Sequence, residues 1–295
     1  MDPAGDIRIG VSGWRYPPWR GAFYPRGLAQ RRELEFASRA LRSIEINGSF
    51  YSLQRPQSYA AWHNATPDDF VFAVKGPRFV THMLRLRGVE AALANFFASG
   101  LARLRTKIGP LLWQLPPSMR YDEPLLLHFL SQLPRDTDEA ARLARGHNDK
   151  VAARTAFDFA PGHPLRHALE VRDESFVNAE FIAMLRDLDI ALVVADTGGR
   201  WPEYADLTSD FVYVRLHGAS ELYASGYSPG AIARWARRIE RWSHGEQAHD
   251  VRVIDPGAPV ESARRDVFCF FDNTAKKHAP ENARGLMRQL PMGLT

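Results

Sequence analysis

Eight short β-rich runs, separated by helix-like stretches, constrain this chain more than any other feature of its sequence. The runs are IRIGVSGW (7–14), SIEINGSFY (43–51), FVFAVKGP (70–77), GPLLWQLP (109–116), HALEVRDESF (167–176), ALVVADTGG (191–199), FVYVRLHG (211–218) and DVFCFFDNT (266–274). Between them, apolar spacing predicts helices over 31–42, 57–65, 88–106, 123–133, 178–188, 229–243 and 278–290. Asn178 and Ser228 stand where N-caps are expected, with Pro229 at the first helical position. The connection after the sixth run carries the weakest signal. Strands alternating with helices build right-handed β–α–β units on a parallel sheet, and eight such units close most economically into an α/β TIM (β/α)8 barrel. A doubly wound open sheet is the alternative, but no glycine-rich dinucleotide fingerprint follows the first run.

One segment breaks this rhythm. Residues 134–166 stand where a few residues usually join a helix to a strand. Its middle (138–145) reads as helix, and Pro161, Gly162 and Pro164 punctuate its end. The expectation is a single domain over 1–295, with 134–166 as a peripheral insertion between helix 4 and strand 5, on the N-terminal side of the barrel.

Barrel enzymes place their chemistry at the C-terminal ends of the strands. Here those ends carry Ser12, Gly13 and Trp14; Glu45 and Asn47; Lys75; Gln114; Glu170, Arg172 and Asp173; Asp196 and Thr197; Arg215 and His217; and Asp272 with Asn273. In SIEINGSFY, a period of two puts Glu45 and Asn47 on the face opposite Ile44 and Ile46. Burying isolated charges costs several kcal/mol each, so packing alone does not select such a ring. Each of these groups serves equally as a structural ion-pair member or a ligand contact, whereas the ring as a whole reads as a binding site. His217 is the general acid–base candidate, because an imidazole titrates near neutrality. Glu170, Asp196 and Glu45 complete the catalytic candidates. Arg172, Arg215 and Lys75 suit an anion, and Asn47, Gln114, Asp272, Asn273, Trp14 and Tyr51 complete the binding candidates. Lys75 could form a Schiff base if desolvated, but anion binding suits it better.

Aromatic residues crowd the same end: Trp14, Tyr16, Trp19, Phe23 and Tyr24 after the first run, and Phe50, Tyr51, Trp113, Trp201, Tyr223 and Tyr227 elsewhere. They offer stacking surfaces for sugars or bases, or they pack a lid over the barrel. Asp196, Glu170, His217 and Asp272 could ligate a divalent metal, and Thr81–His82 adds another imidazole. No HxH, HExxH or CxxC spacing accompanies them, so no cofactor is expected. Cys269, the one cysteine, reads as a core thiol and suits a reducing cytoplasm. The helix AIARWARRIERW (231–242) sets four arginines against an Ile/Trp stripe, as on the outer helix of a barrel. No run approaches the ~20 apolar residues of a membrane span. MDPAGDIRIG lacks the n- and h-regions of a secretory signal, so a cytoplasmic location is expected. A net charge of +4 and a pI near 9.3 permit anionic partners, nucleic acid included, without requiring them.

The stretches IRIGVSGWRYPPWRGAFYP, EINGSFYSL, FVFAVKGPRFVTH, LLWQLPP, ALEVRDESF, VVADTGG, YVRLHG and FFDNT run in order from residue 7 to residue 274. Together they resemble the YecE-like family, domain of unknown function 72. The resemblance implies a TIM barrel with a polar pocket at the strand C-termini, and it supplies no reaction. A likeness to metal-dependent endonucleases acting at abasic sites has been suggested for such proteins; the carboxylates here fit that idea, whereas the few pocket histidines argue against a trinuclear zinc site. Two readings follow, with a non-catalytic barrel that binds a ligand at its mouth as a weaker third. In the first, a hydrolase, lyase or isomerase handles a small anionic or sugar-like substrate: Arg172, Arg215 and Lys75 hold the anion, and His217 with Glu170 moves protons. In the second, a nucleic-acid-processing protein takes a flipped nucleotide into the same pocket.

Overall fold

The structure, a computed structural model, describes residues 4–151, 153–218, 225–257, 264–274 and 277–291. All eight expected strands form: β1 (Ile7–Ser12), β2 (Ser43–Ile46), β3 (Val71–Lys75), β4 (Ile108–Gln114), β5 (His167–Glu170), β6 (Ile190–Asp196), β7 (Phe211–Leu216) and β8 (Asp266–Phe271). They close in chain order into an eight-stranded barrel, with parallel registers such as Ile9 opposite Cys269 and Gln114 opposite Glu170. The fold is therefore the TIM type, and the open-sheet alternative falls. By internal contacts the chain divides into two compact units, Met1–Ile44 with Asp173–Thr295, and Glu45–Arg172. They are described in turn.

The first unit carries α1 (Glu33–Ala40) and, later, the helices numbered α7 to α9 below. Gly10 is the residue that lets β1 approach β2, since a Cβ there would lie 2.0 Å from the Ser43 carbonyl oxygen. Three helices follow in its C-terminal part: α7 (Ala179–Asp187), α8 (Pro229–Ser243) and α9 (His278–Met287). The expected caps are in place: Asn178 Oδ1 accepts from Phe181 N at 2.7 Å, and Ser228 Oγ from Ala231 N at 3.2 Å. No helix joins β6 to β7. Residues 197–210 instead run as a loop whose backbone is satisfied elsewhere. Thr208 Oγ1 bridges Leu192 N and Ile190 O, and the Asp206 carboxylate accepts from Ile254 N and Asp255 N at 2.8 Å each. On α8, Ile232, Trp235, Ile239 and Trp242 are buried, and Arg238 reaches Asp250.

The Glu45–Arg172 unit carries α2 (Gly48–Tyr51), α3 (Pro56–Ala65), α4 (Glu90–Ala98), α5 (Glu123–Ser131) and α6 (Thr137–Ala144). The long helix expected over 88–106 breaks at Gly100. Its φ of +124° leaves the helical region, and a Cβ there would meet the Pro56 backbone at 2.6 Å. Fully buried Trp113 anchors the core, edge-on to Phe96 and Phe129, and donates through Nε1 to His167 Nδ1 at 3.1 Å. It fills the interior, its face stacked on His167, and offers none to a ligand.

The 134–166 insertion leaves and rejoins the unit at the Asp136–Pro164 bridge and carries α6. Reciprocal amide bonds between Asn95 and Asn148, 3.0 Å each way, fix it beside α4. It does not stay on the N-terminal side, because Lys150 Nζ lies 5.3 Å from the ring of Phe79, on the loop after β3.

Candidate functional site

Each unit gathers its own polar set at its strand ends. In the Glu45–Arg172 unit, β2 ends at Ile46, and Asn47 already has helical φ/ψ (−86°, −21°) leading into α2. The strand-face pairing expected for Glu45 and Asn47 therefore stops one residue short: the short helix begins where alternation would have continued. Glu45 is fully buried. Asn47 Oδ1 is buried with no hydrogen-bond partner among the described residues. Ser49 Oγ donates to the Lys75 carbonyl at 2.6 Å and pins α2 to the end of β3. Lys75 is 7% exposed, and its ammonium sits 4.3 Å from the centroid of Phe50.

Because Gln114 and Glu170 are register partners, Gln114 Nε2 donates to Glu170 Oε1 at 2.9 Å. Arg172 reaches the same oxygen with Nε at 2.8 Å and Nη2 at 2.7 Å. A π-helical turn, Phe79–Met83, follows β3; such turns recur at functional sites. It carries His82, whose Nδ1 lies 2.9 Å from Thr81 Oγ1 and whose ring is edge-on to Phe50. Burial first, then the charges of Lys75, Arg172 and Arg78, hold the His82 imidazole down at about 4, with Glu170 pulling the other way. This neutral imidazole among three cations is the strongest feature that reading strand ends alone underweights, because its neighbours come from separate strands.

In the other unit, the β7–β8 register sets Leu216 opposite Phe271, and one residue further on His217 and Asp272 come together. Arg215 Nη2 donates to Asp272 Oδ2 at 2.8 Å, and His217 Nδ1 lies 3.1 Å from the same oxygen. Arg215 Nη1 is 3.5 Å from His217 Nε2. A guanidinium only donates, so Nε2 accepts and the ring proton falls on Nδ1, which lies beside Asp272 Oδ2 without an aligned hydrogen bond to it. Arg215 and His217 are fully buried, and Asp272 is 8% exposed.

Asp196 ends β6, where it accepts from Gly198 N at 3.1 Å and from the Tyr227 hydroxyl. Tyr227, which also accepts from Gly218 N at 3.1 Å, is buried, and burial followed by the Asp196 charge pushes its hydroxyl up. Glu203, on the helix-free β6–β7 loop, was invisible to strand-end reasoning. Burial and then Asp196 raise its carboxyl to about 7, against Arg238 and Arg252. Asn273 is fully buried and braces the loop to α9, donating to Ser225 O at 2.9 Å and to Asn282 Oδ1 at 3.1 Å.

The remaining aromatic candidates separate. The 13–25 loop packs on itself: Trp19 and Tyr24 are buried, Phe23 meets Trp19 edge-on, and Tyr24 donates to the Trp14 carbonyl at 2.6 Å. Trp14 itself is 8% exposed, while Tyr51 is 71% exposed and edge-on to Phe50. Tyr223 lies outside the described residues. Cys269 is fully buried, and burial pushes its thiol up, as for a core residue. Among the described residues, no group of three or more His, Cys, Asp or Glu converges to hold a metal ion. No helix among them is long and apolar enough to cross a membrane.

Fold and strand-end chemistry together define a parallel (β/α)8 barrel with buried ionic sets at its strand termini. A sequence model of the family described as Protein of unknown function DUF72 matches residues 8–294, and the chain belongs to this family. It is 29% identical to the UPF0759 protein YecE of Escherichia coli (strain K12) over 184 residues, 57% of this chain and 65% of YecE. It is 28% identical to the UPF0759 protein YunF of Bacillus subtilis (strain 168) over 116 residues, 38% of this chain and 40% of YunF. The match thus spans less than two thirds of either relative. The fold is similar to that of a crystallised DUF72 family protein from Thermotoga maritima MSB8, with a TM-score of 0.70 at 22% identity, covering 96% of this chain and 98% of that one. A DUF72 family protein from Enterococcus faecalis V583 gives a TM-score of 0.69 at 16% identity, covering 98% and 97%.

Proposed function

We propose that this barrel is an acid–base enzyme, a hydrolase, lyase or isomerase, acting on a small anionic or sugar-like substrate at the strand C-termini. The Arg215–Asp272–His217 set carries the reading. A carboxylate 3.1 Å from Nδ1 favours the proton on that nitrogen and leaves Nε2 to exchange a proton with substrate, and the adjacent guanidinium supplies a fixed positive charge for an anion. Arg215 Nη1 holds Nε2 only weakly at 3.5 Å, a contact a substrate donor would replace. Within the Glu45–Arg172 unit, Glu170, Gln114, Arg172, Lys75 and His82 repeat the same combination of carboxylate, cation and imidazole. We place the protein in the cytoplasm, consistent with one buried cysteine.

The test is a thermal-shift screen of sugar acids, phosphosugars, divalent metals, nucleotides and oligonucleotides. A ligand at ~100 times its dissociation constant adds ~2.7 kcal/mol of stability. The expected result is a shift with a small anion or sugar acid that is lost in Arg215→Ala and His217→Gln, with Arg215→Lys as the folding control. Silence across the small-anion and sugar set defeats the reading. The basic pI near 9.3 favours the alternative, nucleic-acid processing; oligonucleotide binding that falls steeply with salt would support it.

A further inference from the structure

Beside the Lys75–His82 set, and sharing Phe50 and Arg78 with it, two concavities of the Glu45–Arg172 unit share a wall. The first, about 380 Å³, is lined by Tyr51, Phe79 and Met83 among others. The second, about 660 Å³, is lined by Arg55, Ser58 and Arg154. Ser52, Leu53 and Lys150 line both, so the two form one groove with an aromatic end and a cationic end.

Three observations mark this groove as a site. Tyr51, Phe79 and Met83 are 71%, 38% and 62% exposed, and only Leu127 joins them as an exposed large apolar side chain among the described residues. Gathered in one concavity of ligand size, such side chains mark a binding surface, not scattered surface polarity. At the cationic end, Arg55, Lys150 and Arg154 form no ion pair among the described residues. At the junction the Lys150 ammonium stands 5.3 Å from the Phe79 centroid, so aromatic face and positive charge already sit side by side.

The local backbone is built for this presentation. The π-helical turn displays Phe79 and Met83 while Val80 and Thr81 stay buried. Arg85 and Leu86 follow in left-handed conformations (φ 51° and 65°), which persist for non-glycine residues only where the surroundings hold them. Arg85 is held by Ser118, through Nη1 to Oγ at 3.1 Å and Nη2 to the carbonyl at 2.8 Å. Lys150 and Arg154 come from the 134–166 insertion, moored to α4 by the Asn95–Asn148 amide pair and by Ala156 N donating to Ala98 O at 3.0 Å. The insertion thereby supplies the cationic wall.

We propose that this groove binds a phosphorylated aromatic ligand, its ring against Tyr51, Phe79 and Met83 and its phosphate against Lys150, Arg55 and Arg154. A planar ring stacks on aromatic faces whatever its substituents, and a phosphate meets cations that make no ion pair among the described residues. A free nucleotide and the 5′ end of a single strand present this same chemistry.

Isothermal titration of the full chain with AMP, adenosine, inorganic phosphate and a 5′-phosphorylated oligothymidylate tests the proposal. AMP is expected to bind at least ten-fold more tightly than adenosine or phosphate alone. Tyr51→Ala and Lys150→Glu are each expected to weaken that binding at least ten-fold at an unchanged melting temperature, since both side chains are exposed. Arg215→Lys is expected to leave it unaltered, which separates this site from the strand-end reading. Tighter binding of the oligonucleotide with a steep salt slope assigns a strand end, and tighter binding of AMP assigns a free nucleotide. Failure of both phosphorylated probes to bind, or equal binding by wild type and both groove variants, overturns the proposal.

Discussion

His82, in the Glu45–Arg172 unit, and Glu203, in the unit that holds both termini, are driven toward their neutral forms by fields of opposite sign. Burial is the largest cause at both. Around His82 the charges that follow are Lys75, Arg172 and Arg78, and the imidazole is held at about 4. At Glu203 the next cause is the Asp196 carboxylate, and the carboxyl rises to about 7. The leading charge is therefore cationic at His82 and a carboxylate at Glu203. A group's residue type does not fix its charge; the strand ends that converge on it do. The difference also sets opposite pH dependences, which makes it open to experiment.

The largest expected effects come from removing the carboxylate at the centre of either set. Asp272→Ala deprives Arg215, which is fully buried, of a carboxylate partner. Glu170→Ala does the same to Arg172, whose side chain is 8% exposed. Breaking a buried pair from one side costs ~3–5 kcal/mol, so both variants should unfold at markedly lower denaturant. The two differ in a second readout. Glu170 opposes the cations around His82, so its removal should push the His82 titration, followed by proton NMR, still lower, while Asp272→Ala should leave it in place. A loss below ~1 kcal/mol in either variant would mean that the pair is solvated and not part of a fixed site.

A smaller effect separates an imidazole of the core from one of the site. His167 is fully buried, accepts from Trp113 Nε1, donates through Nε2 to the Pro134 carbonyl at 2.7 Å, and is held at about 4 by burial. Its folded value lies below the unfolded value of 6.5, so the unfolded chain takes up the proton first. The stability it contributes is complete above about 6.5 and is lost as the pH falls toward 4, ~3 kcal/mol in all. His82 is held at the same value but is partly exposed, so screening reduces its share to ~1 kcal/mol. Urea titrations between pH 7 and 4 should therefore flatten more in His167→Gln than in His82→Gln. The reverse order would place His82, not His167, in the dry interior.

The sequence disclosed the barrel because its signals are local. Period-two strands, the Asn178 and Ser228 caps and the residues at each strand end are written in consecutive positions, and the structure keeps them. It disclosed the site only in part. Glu45 to Asn47 read as one strand face because alternation is visible and the helical turn at Asn47 is not. Trp113 counted as a mouth aromatic until the packing of Phe96 and Phe129 around it was known. His82 owes its state to burial and to charges as distant as Arg172, ninety residues along the chain, and Glu203 owes its state to burial and to Asp196 across a loop without regular structure. No spacing rule reaches that far. The insertion showed the same limit. Its position between a helix and a strand pointed to the N-terminal side, but only tertiary contacts carry Lys150 to Phe79.

Glu203 gives the smallest and most diagnostic effect, because its sign is opposite to that of the histidines. Its folded value, about 7, lies above the unfolded value of 4.5. Between those two values the unfolded chain releases the proton while the folded protein keeps it. Stability is therefore fullest below 4.5 and is lost as the pH rises through 7. The full shift would correspond to ~3 kcal/mol, which partial exposure reduces to ~1 kcal/mol. Glu203→Gln should consequently stabilise the protein by ~1 kcal/mol at pH 8 and by little at pH 4.5, whereas His82→Gln should act only at the acid end. Asp196→Asn removes the charge that raises Glu203, so in that background the gain from Glu203→Gln at pH 8 should shrink. An undiminished gain would trace the raised carboxyl to burial alone and dissolve the contrast between the two units at this position.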